Sequence, residues 1–257
     1  MLHRTCLLAA ALCACQDAPS TTTNDLGLRL TALDDSHVAG QMVTATGTVD
    51  FVVAETAPGI VEVTFDRGRG EFGTSLDWNT RSADFAWPEG MVITDDDRFV
   101  LTALAAALEA EVGKDVHVAD NLFRQASLWG SHPAGEVRLT PITGSAERGW
   151  TTLCSAGACS SSAVYRTFYH SGGATERSAP CGSHAGTTKG HSRRFGRTDP
   201  VNPCLSRCGA SCSGVGTSAW TQDCGNHDIC EYWHTSDCGG ELSAASDDFS
   251  FAPNCSC

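Results

Sequence analysis

Cys224, His227 and Cys230 recur three residues apart in the run Cys-Gly-Asn-His-Asp-Ile-Cys. On an α-helix this spacing puts all three on one face, within about 60 to 120 degrees of one another. Disulfides at both cysteines would turn that face inward and fix the imidazole between them, while Asp228 points about 100 degrees away. An imidazole held in one orientation suits general-base chemistry, in which it takes a proton from water or a hydroxyl.

Such a base needs a carboxylate on its second nitrogen, to fix the tautomer and steady the imidazolium that forms. A second helix is predicted over Glu241 to Ala252, stopped by Pro253, with Leu242, Ala245, Phe249 and Ala252 as its buried side. Asp248 lies about 70 degrees from the centre of that side, and Asp247 lies nearly opposite it. The connection around Thr235 to Gly240 is short, so the helices should be antiparallel neighbours. Folding about residues 237 and 238 brings position 248 level with 227. Both arguments select Asp248 as the partner of His227.

Upstream, Cys212-Ser-Gly214-Val-Gly216 carries glycines that let backbone carbonyls converge on a cation, and Asp228 adds carboxylate oxygens. Oxygen donors of this kind suit Ca2+, which would polarise an ester carbonyl under attack by water. A transition-metal reading uses Asp223, His227 and His234, which fall along one helical face and would suit zinc.

The stretch from Cys212 to Asp248 resembles the secreted phospholipases A2. Their mark is a glycine-rich calcium loop, a C-C-x-x-H-D-x-C helix and an aspartate from a facing helix. The resemblance implies that His227 is the general base acting through water, with Asp248 as its partner. It implies Asp228 as a calcium ligand, together with the carbonyls of Cys212, Gly214 and Gly216. The implied reaction is calcium-dependent hydrolysis of the sn-2 ester of glycerophospholipids at a membrane surface, without a covalent intermediate. Two other readings compete. One is a non-catalytic, disulfide-rich binding or structural module in which His227 is simply buried. The other is a scaffold or adhesion protein whose front half matters most.

The cysteines divide the chain. Of the 14, Cys6, Cys13 and Cys15 lie at the N-terminus, and the other 11 all follow residue 150. That number is odd, so at least one lies outside intrachain pairing, and the connectivity is not readable from spacing. The chain is therefore read as a signal over 1–15, a polar tether over 16–26, an α+β domain over 27–145 and a cysteine-rich domain over 150–257. The fold class is α+β, with a small, mainly helical second domain built on an antiparallel two-helix hairpin.

In the front half, Val61, Val63 and Phe65 alternate with polar residues as in a half-buried strand, and Met42 to Ala54 suggests a strand or hairpin. Asp95, Asp96 and Asp97 open a helix that runs to about Val112, with Leu101, Leu104 and Leu108 as its stripe and Gly113 as its stop. Glu136 to Ile142 suggests a closing strand. Residues 171–203, rich in Gly, Ser and basic residues, read as a long loop. Its Lys189, Arg193, Arg194 and Arg197 offer either a solvated surface or a contact for anionic headgroups. Trp220, Tyr232 and Trp233 suit either core or a lipid interface. His37, His117 and His132 are scattered, and His170, His184 and His191, without partners at a recognisable spacing, are read as surface groups.

At the N-terminus, Leu7 to Ala14 is an apolar run too short to span a bilayer. Its end, Leu12-Cys13-Ala14-Cys15, resembles a lipobox, which implies a bacterial lipoprotein acylated at Cys15. The expected location is the cell envelope, as an outer-membrane lipid anchor or a secreted form, in an oxidising compartment. The formal charge of -13 is concentrated before residue 150 and argues against nucleic acid as a partner.

Overall fold

The structure, a computed structural model, describes residues 27–113, 116–144, 153, 164–170, 189–196, 198–209, 219–233 and 238–253. The signal, lipobox and tether expected over 1–26 lie outside the described residues. Among the described residues, no helix is long and apolar enough to cross a membrane. The described residues form sheets and four helices, an α+β fold, with disulfides in the C-terminal region.

Six strands form an antiparallel meander in sequence order: β1 (Leu28–Leu33), β2 (His37–Thr44), β3 (Gly47–Ala57), β4 (Ile60–Asp66), β5 (Glu71–Asp77) and β6 (Ser82–Ala86). Alternate residues of the central strands face inward, with Val49, Phe51 and Val53 beside Val61, Val63 and Phe65, all buried. The Val- and Thr-rich stretch from Met42 to Ala54 is the turn between β2 and β3 together with its flanks.

Two helices cover this face, α1 (Asp95–Glu111) and α2 (His117–Gly130). Thr94, rather than the acidic triplet, is the N-cap of α1, and Asp97 completes a capping box with it. Asp97 also receives Arg67 and Arg69, which fastens the helix start to the turn between β4 and β5. Leu101, Leu104 and Leu108 are buried as their spacing requires, and Gly113 follows with φ +76°, which glycine adopts without strain.

Helix α2 is buried all round: Asp120, Asn121, Arg124, Gln125 and Ser127 are as enclosed as Leu122 and Trp129. Its polar groups reach in several directions. Asn121 accepts from Trp78 Nε1, and Gln125 accepts from Thr74 and donates to Ser250. The segment after α2 is less regular than a closing strand. Val92–Ile93 (β7) pairs with Gly135–Glu136 (β8), and Ile142 alone bridges to Ala83.

In the cysteine-rich part, β9 (Val164–His170) and β10 (Lys189–Phe195) pair antiparallel along their length, so Lys189 to Phe195 is a strand within the stretch read as a loop. Helices α3 (Gln222–Trp233) and α4 (Gly239–Phe251) pack side by side. Leu242, Ala245, Phe249 and Ala252 are buried, as predicted, in the same hydrophobic cluster as the sheet, α1 and α2. A smaller cluster of Leu153, Phe168, Phe195, Trp220 and Ile229 joins β9 and β10 to α3, which makes Trp220 a core residue.

Candidate functional site

The start of α3 is defined by Thr221, whose hydroxyl accepts the backbone N–H of Cys224 three residues on. Cys224 is bonded to Cys208, and Cys230, six residues further along the helix, is bonded to Cys238 at the start of α4. Cys204 is disulfide-bonded as well. The cystines at positions 224 and 230 therefore bracket His227 as the spacing suggested.

The outer side of α3 supports the β9–β10 hairpin. Gln222 Nε2 donates to Thr167 O and to Asn226 Oδ1, and Asn226 Oδ1 also accepts Tyr169 N–H, so two side-chain amides one turn apart satisfy the edge of β9. Gly225 permits the close approach, because a Cβ there would stand 2.2 Å from Phe168 Cε1.

His227 is 2% exposed, and its Nε2 has no hydrogen-bond partner. The nearest carboxylate oxygen is Glu231 Oε1, one turn on, at 3.9 Å. Glu231 in turn accepts from Arg98 of α1 at 2.8 Å. Burial pushes the imidazole pKa below its ordinary value, with Arg98 adding to this, while Glu231 and the buried Glu241 of α4 pull it upward. The resting ring is thus neutral, the form a general base requires, with acidic groups ready to steady its protonated form.

His132 offers a contrast a short way off. It is equally buried, but its Nδ1 donates to Pro133 O and its Nε2 accepts Arg138 N–H, so both nitrogens are engaged in structure. His132 and the residues that follow it, with Gly239 and Gly240, line a cavity of about 250 Å3. The two histidines show what separates a structural imidazole from an available one: the first is fully satisfied and the second is not.

Asp248 occupies different surroundings. Its carboxyl is hydrogen-bonded to Thr221 and lies within 4.8 Å of the sulfurs of Cys208 and Cys224. Its pKa is raised to about 7, chiefly by burial, with neighbouring Asp247 and Asp223 adding to this against the Thr221 bond. Among the described residues no hydrogen bond or ion pair joins Asp248 to His227. The hairpin register sets Asp248 level with Cys224, one turn short of the expected alignment, and the carboxylates acting on His227 are Glu231 and Glu241.

The acids at the start of α3 do not form a metal cluster with His227. Asp223 is raised by burial and by Asp247, and its carboxylate accepts from Asn226. His234 lies outside the described residues. The cluster of Cys208, Cys224 and Asp248 lacks the thiolates a metal would need, since both sulfurs are in one disulfide.

Asp228 points to another side of α3, where its Oδ2 accepts Ser206 N–H at 2.6 Å. Burial raises this carboxyl well above the ordinary range despite that bond, and Glu231 adds to the effect. Its ionised form is therefore short of positive charge, which a hard divalent cation supplies, and its oxygens are the right donor type for calcium. Cys212, Gly214 and Gly216 lie outside the described residues. Both flanks of that segment are nonetheless pinned beside α3. Arg207 bridges Trp220, Cys208 N–H donates to Ala219 O, and Ser206 sits on Asp228.

The functional neighbours missed by sequence reasoning are Glu231, Glu241, Arg98 and Thr221. Glu231 carried a readable signal, because a residue four positions on shares the helical face of His227. Arg98 and Glu241 come from other elements and had none.

Residues 182–257 match a family model described as a domain of unknown function, DUF8213. The match takes in β10, α3, α4 and the segment between β10 and α3. No curated protein and no solved structure matches the chain.

Proposed function

We propose that this chain hydrolyses phospholipid esters in a calcium-dependent, phospholipase-A2-like reaction, with His227 as the general base that activates water. The observation that carries this reading is the state of His227: neutral, enclosed between two cystines, with an unsatisfied Nε2 and a carboxylate 3.9 Å away. An unsatisfied buried nitrogen is costly, of the order of 1–3 kcal/mol, and a catalytic role is one reason for its retention.

In this reading His227 accepts the proton of the attacking water and passes it to the leaving alcohol. Glu231, steadied by Arg98, and Glu241 stabilise the imidazolium formed between those two transfers. Glu231 faces the same Nε2 that would take the proton, so it acts on the imidazolium by its charge and does not take the tautomer-fixing role that the family resemblance gives to Asp248. Asp228 with the carbonyls of Cys212, Gly214 and Gly216 would hold calcium. Bound calcium supplies Lewis-acid polarisation of the ester carbonyl. The disulfides fit an oxidising location, in keeping with an enveloped or secreted protein that meets phospholipid surfaces.

The second reading is a non-catalytic, disulfide-stapled module, favoured by the near-complete enclosure of His227 and by the use of Asp228 to hold Ser206. Fatty-acid release from defined phospholipid vesicles by the full-length protein separates the two. The enzyme reading requires release that stops with a chelator and falls by about a hundredfold or more in His227→Gln with its disulfides intact. Absence of release, or equal release by the variant, selects the module.

A further inference from the structure

The β9–β10 hairpin carries a second histidine constellation, separate from the site around His227. His170 is 1% exposed and His191 is partly buried, and their Nε2 atoms lie 2.9 Å apart. The strands pair Lys189 with His170 and His191 with Phe168, so the two histidines are diagonal neighbours on one face. Their rings are within 13° of parallel, with centroids 4.9 Å apart. A centroid separation so much longer than the Nε2 separation means that the rings meet edge to edge rather than face to face. Two nitrogens of the same type thus converge on one point.

We propose that His170 and His191 form a two-imidazole site for a divalent transition metal of tetragonal preference, copper(II) foremost, on their Nε2 atoms. The spacing selects the ion. With metal–nitrogen bonds of about 2.0–2.1 Å, nitrogens 2.9 Å apart subtend about 90 degrees at the metal. That is the angle between neighbouring positions of a square-planar or octahedral ion, whereas a tetrahedral zinc ion needs about 3.3 Å. Copper(II) also heads the affinity order for imidazole donors.

The donors are held in place before any metal arrives. Phe168 and Phe195, on the same face, are packed in the small core with Trp220, and Gln222 and Asn226 fix the edge of β9 to α3. Arg166 and Arg193 form the cross-strand pair on this face beyond Phe168 and His191, and their charge opposes a cation. Affinity must therefore come from the imidazole bonds rather than from general electrostatics, which again favours a strongly coordinating ion.

The proton balance is simple. In the hydrogen-bonded pair one ring carries its proton on Nε2 and the other accepts it. Coordination of both Nε2 atoms needs each ring to keep its single proton on Nδ1. The donor ring loses the Nε2 proton to solvent and takes one at Nδ1, with no net proton released.

The test is copper(II) titration of the full-length protein, read by calorimetry and by the nitrogen couplings of the copper electron-spin spectrum. The expected result is one site with two equatorial imidazoles. Its affinity falls by at least about a hundredfold in His191→Gln, a larger loss than removal of an outer-shell group produces. His170→Gln should act alike, and the less buried His191 keeps the test sound if the His170 variant misfolds. His227→Gln should leave the copper site unchanged, whatever it does to ester hydrolysis. A native protein without the two-imidazole signature, or a signature that survives in His191→Gln, overturns the proposal.

Discussion

Nε2 of His227 and Oε1 of Glu231 stand 3.9 Å apart on successive turns of α3, and that same oxygen accepts from Arg98 at 2.8 Å. An imidazole depressed by burial is thus tuned by one carboxylate and, through it, by a guanidinium from the front half of the chain. Removing the carboxylate in Glu231→Gln takes away an upward influence, so the His227 pKa should fall further. Removing the guanidinium in Arg98→Met should raise it. A pH titration of the imidazole 15N signals checks both directions without relying on activity, and in the hydrolase reading the acid limb of the rate profile should move with them. Shifts of the same sign in both variants would reject this electrostatic chain.

Asp248 should behave as a pH-dependent weak point. Its carboxyl titrates at about 7 in the fold because it is buried, against an ordinary value of 3.8. Between those values the folded state binds more protons than the unfolded state, so stability is lost as pH rises through that window. Asp248→Asn keeps a partner for Thr221 without the charge. It should be more stable than the native protein at pH 8 by roughly 2–4 kcal/mol and similar to it near pH 4. Denaturant unfolding at the two pH values measures the difference, and destabilisation at pH 8 would show that the ionised carboxylate is needed in place.

His227 should work in the opposite direction. Its depressed pKa gives stability that is present above the unfolded value of about 6.5 and lost as pH falls below it, because the unfolded ring gains a proton that the buried ring resists. His227→Gln should flatten the acid side of the stability profile below about pH 6.5. An unchanged acid slope would mean that the buried ring is protonated as easily as a free one.

What could be read in advance follows from which surfaces are two-sided. Helix α4 and strand β4 each have a buried and a less buried side, so Leu242, Ala245, Phe249 and the Val61–Phe65 alternation announced them. Helix α2 is enclosed on every side; Val118, Leu122, Ala126 and Trp129 still share one face, and polar residues such as Asn121 and Gln125, which spend their hydrogen bonds on tertiary partners, disguise that stripe. Strand β10 is written in Gly, Ser and Arg, and its place depends on pairing with a strand more than 18 residues earlier. The register of α3 against α4 turned on the Cys230–Cys238 bond, and disulfide partners are not encoded in spacing. A pivot that differs by two or so residues moves an aspartate by about one helical turn, enough to take Asp248 away from His227 and leave Glu231, on the same helix, as its neighbour.

Gly225 tests the link between the hairpin and α3. A methyl group there would meet Phe168 Cε1 and Cδ1 at 2.2 and 2.4 Å, and Phe168 is fully buried against Phe195, so the ring has little room to yield. Alanine would be favoured by helix propensity at an ordinary site, yet Gly225→Ala should destabilise by about 1–3 kcal/mol through overpacking. The Asn226–Tyr169 bond should open with it, read as faster amide exchange at Tyr169. A stabilised variant would mean that β9 does not rest on α3 in this way.

Arg124 makes the strongest case that the front and cysteine-rich parts unfold together. It is buried in α2, paired with Asp120, and its Nη1 donates to the carbonyls of Phe249 and Ala252 at the end of α4. Those carbonyls belong to the negative end of a helix dipole, which a fixed guanidinium both satisfies and neutralises. Arg124→Met keeps the apolar stem but strands two acceptors and Asp120, so a loss of about 3–5 kcal/mol is expected. Arg124→Lys should recover only part of it, because one ammonium cannot reproduce the planar fork. Calorimetry provides the decisive reading: the native protein should melt in one transition, and Arg124→Met should lower that transition as a whole. Two separate transitions in the native protein, with only one sensitive to Arg124, would show that the shared core does not couple the two parts.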